Sequence, residues 1–182
     1  MPKSAKKLRS NQAWIERHIN DPFVKRSKAE GYRARSAYKL LELNEKEKLF
    51  RPGITVVDLG SAPGSWTQVA RSKMVNAAGK FSGHLVAMDI LPMEPVPDAV
   101  FLQGDFREQE VADQLSALLA DGKVDVVLSD MAPNLSGIPA VDAAASLLLN
   151  ELALEFALEH LCENGVLVVK AFQGSGYSQF IE

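Results

Sequence analysis

From residue 55 onward, short runs of β-branched and apolar residues alternate with longer segments of mixed character. The runs at residues 55–59, 85–90, 100–103, 124–129 and 166–172 predict five strands. Several are apolar at successive positions, the pattern of parallel strands covered on both faces. The segments between them are long enough for crossover helices. After the fourth run, Ala145, Leu148, Leu149, Leu152 and Phe156 recur at helical spacing and predict an inward-facing stripe. Together these patterns predict an α/β fold built on a doubly wound, mostly parallel sheet.

Upstream the pattern differs. Residues 1–10 are Lys-rich and nearly without apolar positions, which predicts no packed structure in isolation. Helices are expected over residues 11–20, 23–30 and 36–49, the last with Ala37, Leu40 and Leu41 inward. Pro52 and Gly53 stop it, dividing a helical segment (1–51) from a core (52–182).

Charge sharpens that division. Residues 1–51 hold 14 Lys and Arg against 6 Asp and Glu, a net of +8; the rest hold 6 against 17, a net of −11. A basic segment beside an acidic domain predicts a polyanion grip attached to a small-molecule site, because Lys and Arg release counterions from phosphates. A solvated basic tail is the bland alternative. The apolar stretch over residues 143–161 is broken by Asn150, Glu151, Glu155 and Glu159, so no membrane span is expected. The start lacks the apolar run of a secretory signal and Cys162 is the single cysteine, which together predict a cytoplasmic protein.

Ligands of open α/β sheets bind beyond the carboxyl ends of the strands. Asp58, Asp89, Asp105, Asp130 and Lys170 all fall at or near those ends. One charged residue there is unremarkable, since burying a charge mid-sheet is costly. Five in register predict a lined crevice. The turn Asp58-Leu59-Gly60-Ser61-Ala62-Pro63-Gly64-Ser65-Trp66 spaces its glycines as G-x-x-x-G, where a nicotinamide fingerprint requires G-x-G-x-x-G. An oxidoreductase is therefore disfavoured. Glycines allow close backbone approach to a ligand, Asp89 suits a ribose diol, and Gly104-Asp105 suits an adenine amino group. An adenosyl ligand without phosphates follows: S-adenosylmethionine, with S-adenosylhomocysteine as its product.

Asp130 opens Asp130-Met131-Ala132-Pro133-Asn134, which would serve equally as an ordinary turn. Lys170 lies in an apolar run, where a lysine needs a reason. Desolvated and beside a second cation, it would serve as a base toward a hydroxyl. Lys39 could be that cation, although alone it reads as an exposed helix charge.

The segments Arg33-Ala34-Arg35-Ser36-Ala37-Tyr38-Lys39-Leu40, 56–66, Ala87-Met88-Asp89-Ile90-Leu91-Pro92-Met93, Gln103-Gly104-Asp105-Phe106-Arg107, 129–137 and 168–174 closely resemble the bacterial FtsJ/RrmJ family. The resemblance runs over nearly the whole chain. It implies a Rossmann-like methyltransferase fold and 2′-O-methylation of a uridine in the aminoacyl-site loop of 23S ribosomal RNA, on the large ribosomal subunit. It also implies catalytic Lys39, Asp130 and Lys170, with cofactor contacts at Gly60, Gly64, Trp66, Asp89, Asp105 and Asp130. No metal or membrane is implied, and a monomer is expected. The family's fourth catalytic residue, a Glu on a later strand, and the last two strands of its sheet have no counterpart in residues 1–182. A tRNA- or cap-directed relative, or a non-catalytic binding fragment, are the alternative readings.

Overall fold

In the computed structural model, residues 21–119, 122–171 and 180 are described. The chain runs α1 (Pro22–Ala29), α2 (Ala37–Glu47), β1 (Thr55–Leu59), α3 (Ser65–Lys73), β2 (His84–Asp89), β3 (Val100–Gln103), α4 (Gln109–Leu118), β4 (Val124–Ser129), α5 (Pro139–His160) and β5 (Leu161–Val169). The helix expected over residues 11–20 lies outside the described residues. The five strands form one sheet in the order β3-β2-β1-β4-β5, every pairing parallel. Strand order reverses between β1 and β4, the place where such sheets open a crevice at their carboxyl ends.

Both faces of the sheet are covered, which is why β1, β2 and β4 are apolar at successive positions. Val56, Leu85, Val126 and Leu128 pack against Trp66, Val69 and Ala70 of α3 and against Ala37 and Leu40 of α2. Val57, Leu59, Val86, Met88 and Val127 pack on the other side with Val111 and Leu115 of α4 and Ala153, Phe156 and Ala157 of α5. Leu49 and Phe50 belong to the first of these clusters. The division expected at residues 51/52 is thus no break in packing, because α2 and its exit bury their apolar side on the core.

Three elements depart from expectation. The buried stripe of α5 is Ser146, Asn150, Ala153, Phe156 and Ala157, while Leu148 is 49% exposed. The helix is apolar around most of its girth, so spacing alone could not select the inward face; small residues face the sheet, where the two approach closely. The fifth strand begins at Leu161, opposite Val124, and resumes pairing at Val166 opposite Val126. Residues 162–165 form the intervening irregularity, with Asn164 at φ 65°. Residue 172, the expected strand end, is not among the described residues. In β2 the strand ends at Asp89, leaving Ile90 56% exposed beyond it. No helix among the described residues is long and apolar enough to cross a membrane.

Candidate active site

The turn after β1 folds back over β2: the amides of Gly60 and Ser61 both donate to the carbonyl of Met88, at 2.9 and 3.0 Å. Gly60 has φ 74°, and a Cβ there would lie 2.7 Å from the Met131 nitrogen. Gly64 has φ 105°, and a Cβ there would lie 2.6 Å from Arg33 Nη1 and 2.8 Å from Met93 Sδ. Both glycines let the turn close against Met131 and Arg33, where a side chain would clash.

Asp89 is nearly buried, and its carboxylate fastens two loops. Oδ2 accepts from the Ala62 amide and Oδ1 from the Leu91 amide, each at 2.8 Å. At the end of β3, the Gly104 amide donates to the Asp89 carbonyl at 3.0 Å. Asp105 is gripped by Arg107, whose Nε and Nη2 donate to its carboxylate at 2.9 and 2.6 Å. Those bonds hold the Asp105 carboxyl below the usual carboxylate range. Trp66 is 5% exposed within the core and its Nε1 donates to the Ser36 carbonyl at 3.0 Å. Only its backbone remains for a ligand, because ring and N–H are committed to seating α2.

Asp130 and Lys170 are brought together by the ladder itself. Each is the first residue past its strand, and pairing continues through them: Asp130 N donates to Leu59 O at 3.1 Å and Lys170 N to Ser129 O at 2.9 Å. Their side chains consequently meet. Lys170 Nζ donates to the Asp130 carbonyl at 3.1 Å and forms an ion pair with its carboxylate. Lys39 sits exposed on α2 between buried Ala37 and Leu40, and makes no ion pair with Asp130. The ion pair thus joins two of the three expected catalytic residues.

Asp58, the first of the five strand-end charges, has surroundings that the sequence did not show. Asp58 is the penultimate residue of β1 and fully buried. Thr67 Oγ1 donates to its Oδ2 at 2.6 Å, while its Oδ1 has no hydrogen-bond partner among the described residues. Ser61 Oγ and Ser129 Oγ are likewise buried without partners. Unpartnered buried polar atoms are rare, and three around neighbouring strand ends mark where a polar ligand would complete the site. Burial pushes the Asp58 carboxyl up to about 7, with Asp130 and Asp89 adding to the rise. Nothing in the order of residues announces this, since it depends on which oxygen Thr67 takes. Among the described residues no group of three or more His, Cys, Asp or Glu could hold a metal ion.

A parallel sheet with this strand order, carboxylates at its strand ends, a glycine turn with no phosphate fingerprint and a Lys–Asp pair just past β4 and β5 fit the Rossmann-like methyltransferase class. The profile of one family, described as FtsJ-like methyltransferase, matches residues 32–182. The chain belongs to that family. It is 54% identical over 97% of its length to the ribosomal RNA large subunit methyltransferase E of Ralstonia nicotianae, covering 83% of that protein. It is 55% identical to the protein of the same name from Burkholderia multivorans, with the same coverages. Among solved structures, a ribosomal RNA methyltransferase from Plasmodium falciparum superposes with a TM-score of 0.72 at 30% identity, over 81% of this chain and 82% of the other.

Proposed function

We propose that this chain transfers a methyl group from S-adenosylmethionine to the ribose 2′-hydroxyl of a uridine in 23S ribosomal RNA, acting on the large ribosomal subunit. The observation that carries the chemistry is the Asp130–Lys170 pair, placed by two adjacent strand ends beside three unpartnered buried polar atoms. The names of the curated relatives support the class of substrate.

The residues present fit the donor. Asp58 Oδ1, Ser61 Oγ and Ser129 Oγ suit the ammonium and carboxylate of its methionine part, and the surrounding carboxylates suit its net cationic character. Asp89 keeps lone pairs for a ribose diol beyond those used by Ala62 and Leu91, and Asp105 lies at the end of β3 for the adenine edge. Gly60 and Gly64 shape the turn, and Trp66 offers its backbone at the start of α3. When bound, the donor supplies an electrophilic methyl on a positively charged sulfur.

Lys170, once its ammonium has released a proton to solvent, takes the proton of the 2′-hydroxyl as the oxygen's electron pair forms the new bond to carbon. The electrons of the broken bond remain on sulfur. Asp130 holds the Lys170 nitrogen by two acceptors and stabilises the positive charge it gains. Lys39 contributes a cation on the exposed face of α2.

The RNA grip falls to the cations of the basic segment that are not already paired. Among the described residues, Arg26, Arg35 and Arg51 are ion-paired with Glu30, Asp21 and Asp125, whereas Lys25, Lys28 and Lys39 are not ion-paired. Incubation with methyl-labelled donor and unmethylated large subunits, followed by digestion to nucleosides, tests the reading. Labelled 2′-O-methyluridine is expected; label on a base, or only in transfer RNA, would contradict it.

A further inference from the structure

We infer that Arg33, although it belongs to the basic segment, positions the methyl-donor site and does not grip RNA. Its guanidinium donates to three main-chain carbonyls on two loops: Pro63 at 3.0 Å, Glu94 at 2.6 Å and Pro95 at 2.8 Å. Pro63 lies in the turn after β1, and Glu94 and Pro95 lie in the loop that follows Asp89. These are the loops that Asp89 fastens through the amides of Ala62 and Leu91. Asp89 takes their N–H groups and Arg33 takes their carbonyls, so an acid and a base clamp the same two walls by complementary main-chain groups.

Three features make the clamp specific. A guanidinium carries its donors in a rigid fork, which spans separated acceptors in a way a lysine ammonium does not. Gly64 supplies the gap the fork enters, since a Cβ there would lie 2.6 Å from Nη1. The main chain of Arg33 is itself anchored: its amide donates to Gln68 Oε1 at 3.0 Å, and Gln68 Nε2 donates to the Gly31 carbonyl at 3.1 Å. Gln68 belongs to α3, the helix that the glycine turn starts. Arg33 therefore binds the segment leading into α2 to both sides of the donor crevice, and its phosphate-binding capacity is spent on carbonyls.

The inference rests on the donor assignment made above, and the experiment separates the two. Calorimetry with S-adenosylhomocysteine and fluorescence titration with a 23S ribosomal RNA transcript are carried out on the wild type, Arg33→Lys and Gln68→Ala, with thermal unfolding of each. Arg33→Lys is expected to weaken S-adenosylhomocysteine by about tenfold, the scale of one lost charge-assisted hydrogen bond. It should raise KM for the donor while kcat at saturating donor and RNA affinity stay at wild-type values. Weakened RNA binding with unchanged S-adenosylhomocysteine affinity, or no change in either, overturns the inference. If Arg33→Lys fails to fold, Gln68→Ala decides on the same two readouts, with a smaller loss of the same sign. Failure of the wild type itself to bind S-adenosylhomocysteine removes the donor assignment and this inference with it.

Discussion

One carboxylate oxygen of Asp89 accepts the amide of Ala62 at 2.8 Å, tying the end of the second strand to the turn that follows the first. The residue is therefore a fastener of the crevice before any ligand arrives. Asp89→Ala is expected to lose both loop bonds and the proposed ribose contact, weakening S-adenosylhomocysteine by more than about a hundredfold on the scale of two or more hydrogen bonds to a charged group. Asp89→Asn, which keeps one acceptor oxygen, should fall between. Equal affinity for Asp89→Ala and wild type in calorimetry would contradict the placement.

Asp58 predicts an unusual dependence of stability on pH. Its folded carboxyl titrates at about 7 against an ordinary 3.8, so between those values the unfolded chain has lost a proton that the folded chain still holds. Stability consequently falls as pH rises from about 4 to about 7, by a total of order 4 kcal/mol, and the cost is constant above that. Urea unfolding of wild type and Asp58→Asn at pH 5 to 8 isolates the effect, because all other groups are shared. The stability of wild type relative to the variant should drop across this range; parallel curves would show that the carboxyl titrates normally.

Gly60 should not tolerate a side chain. A Cβ would lie 2.7 Å from main-chain nitrogen of Met131, and φ 74° is itself unfavourable for alanine. Gly60→Ala is expected to cost about 2 kcal/mol in denaturant unfolding and to disturb the segment carrying Asp130. Gly79, with φ 72° but nothing within 4 Å of its Cβ, serves as the comparison for the backbone cost alone.

Salt dependence distinguishes cations that meet phosphate from those spent inside the protein. Lys25→Ala and Lys28→Ala should each lower the slope of log affinity for RNA against log salt by about 0.7 to 0.9 per contact. Arg51→Ala, whose guanidinium is paired with Asp125 at 3.0 Å, should leave the slope unchanged. A drop for Arg51→Ala equal to that for the lysines would remove the distinction.

The strands were legible because their physics is local. Residues 55–59, 100–103 and 124–129 form strands as their β-branched runs imply, and the extended ladder brings two of the five strand-end charges, Asp130 and Lys170, into contact. What was hidden depends on tertiary choices that no spacing encodes. The nearly all-round apolar character of α5 left its inward face undetermined, and Phe156 alone of the expected stripe is fully buried there. Trp66, read as a ligand contact, is consumed by the Ser36 carbonyl, and Arg33, one basic residue among many, by three others. At the two glycines the neighbours that would exclude a side chain, Met131 and Arg33, come from distant parts of the chain, which no local spacing shows.

In the proposed reaction Lys170, held by Asp130, receives the hydroxyl proton. Single-turnover methylation of large subunits by wild type and Lys170→Ala, alongside calorimetry with S-adenosylhomocysteine, tests it most directly. Lys170→Ala is expected to lose about a thousandfold in rate, within the range of a removed general base, while binding S-adenosylhomocysteine as wild type does. A Lys170→Ala enzyme that methylates at the wild-type rate would contradict the central claim.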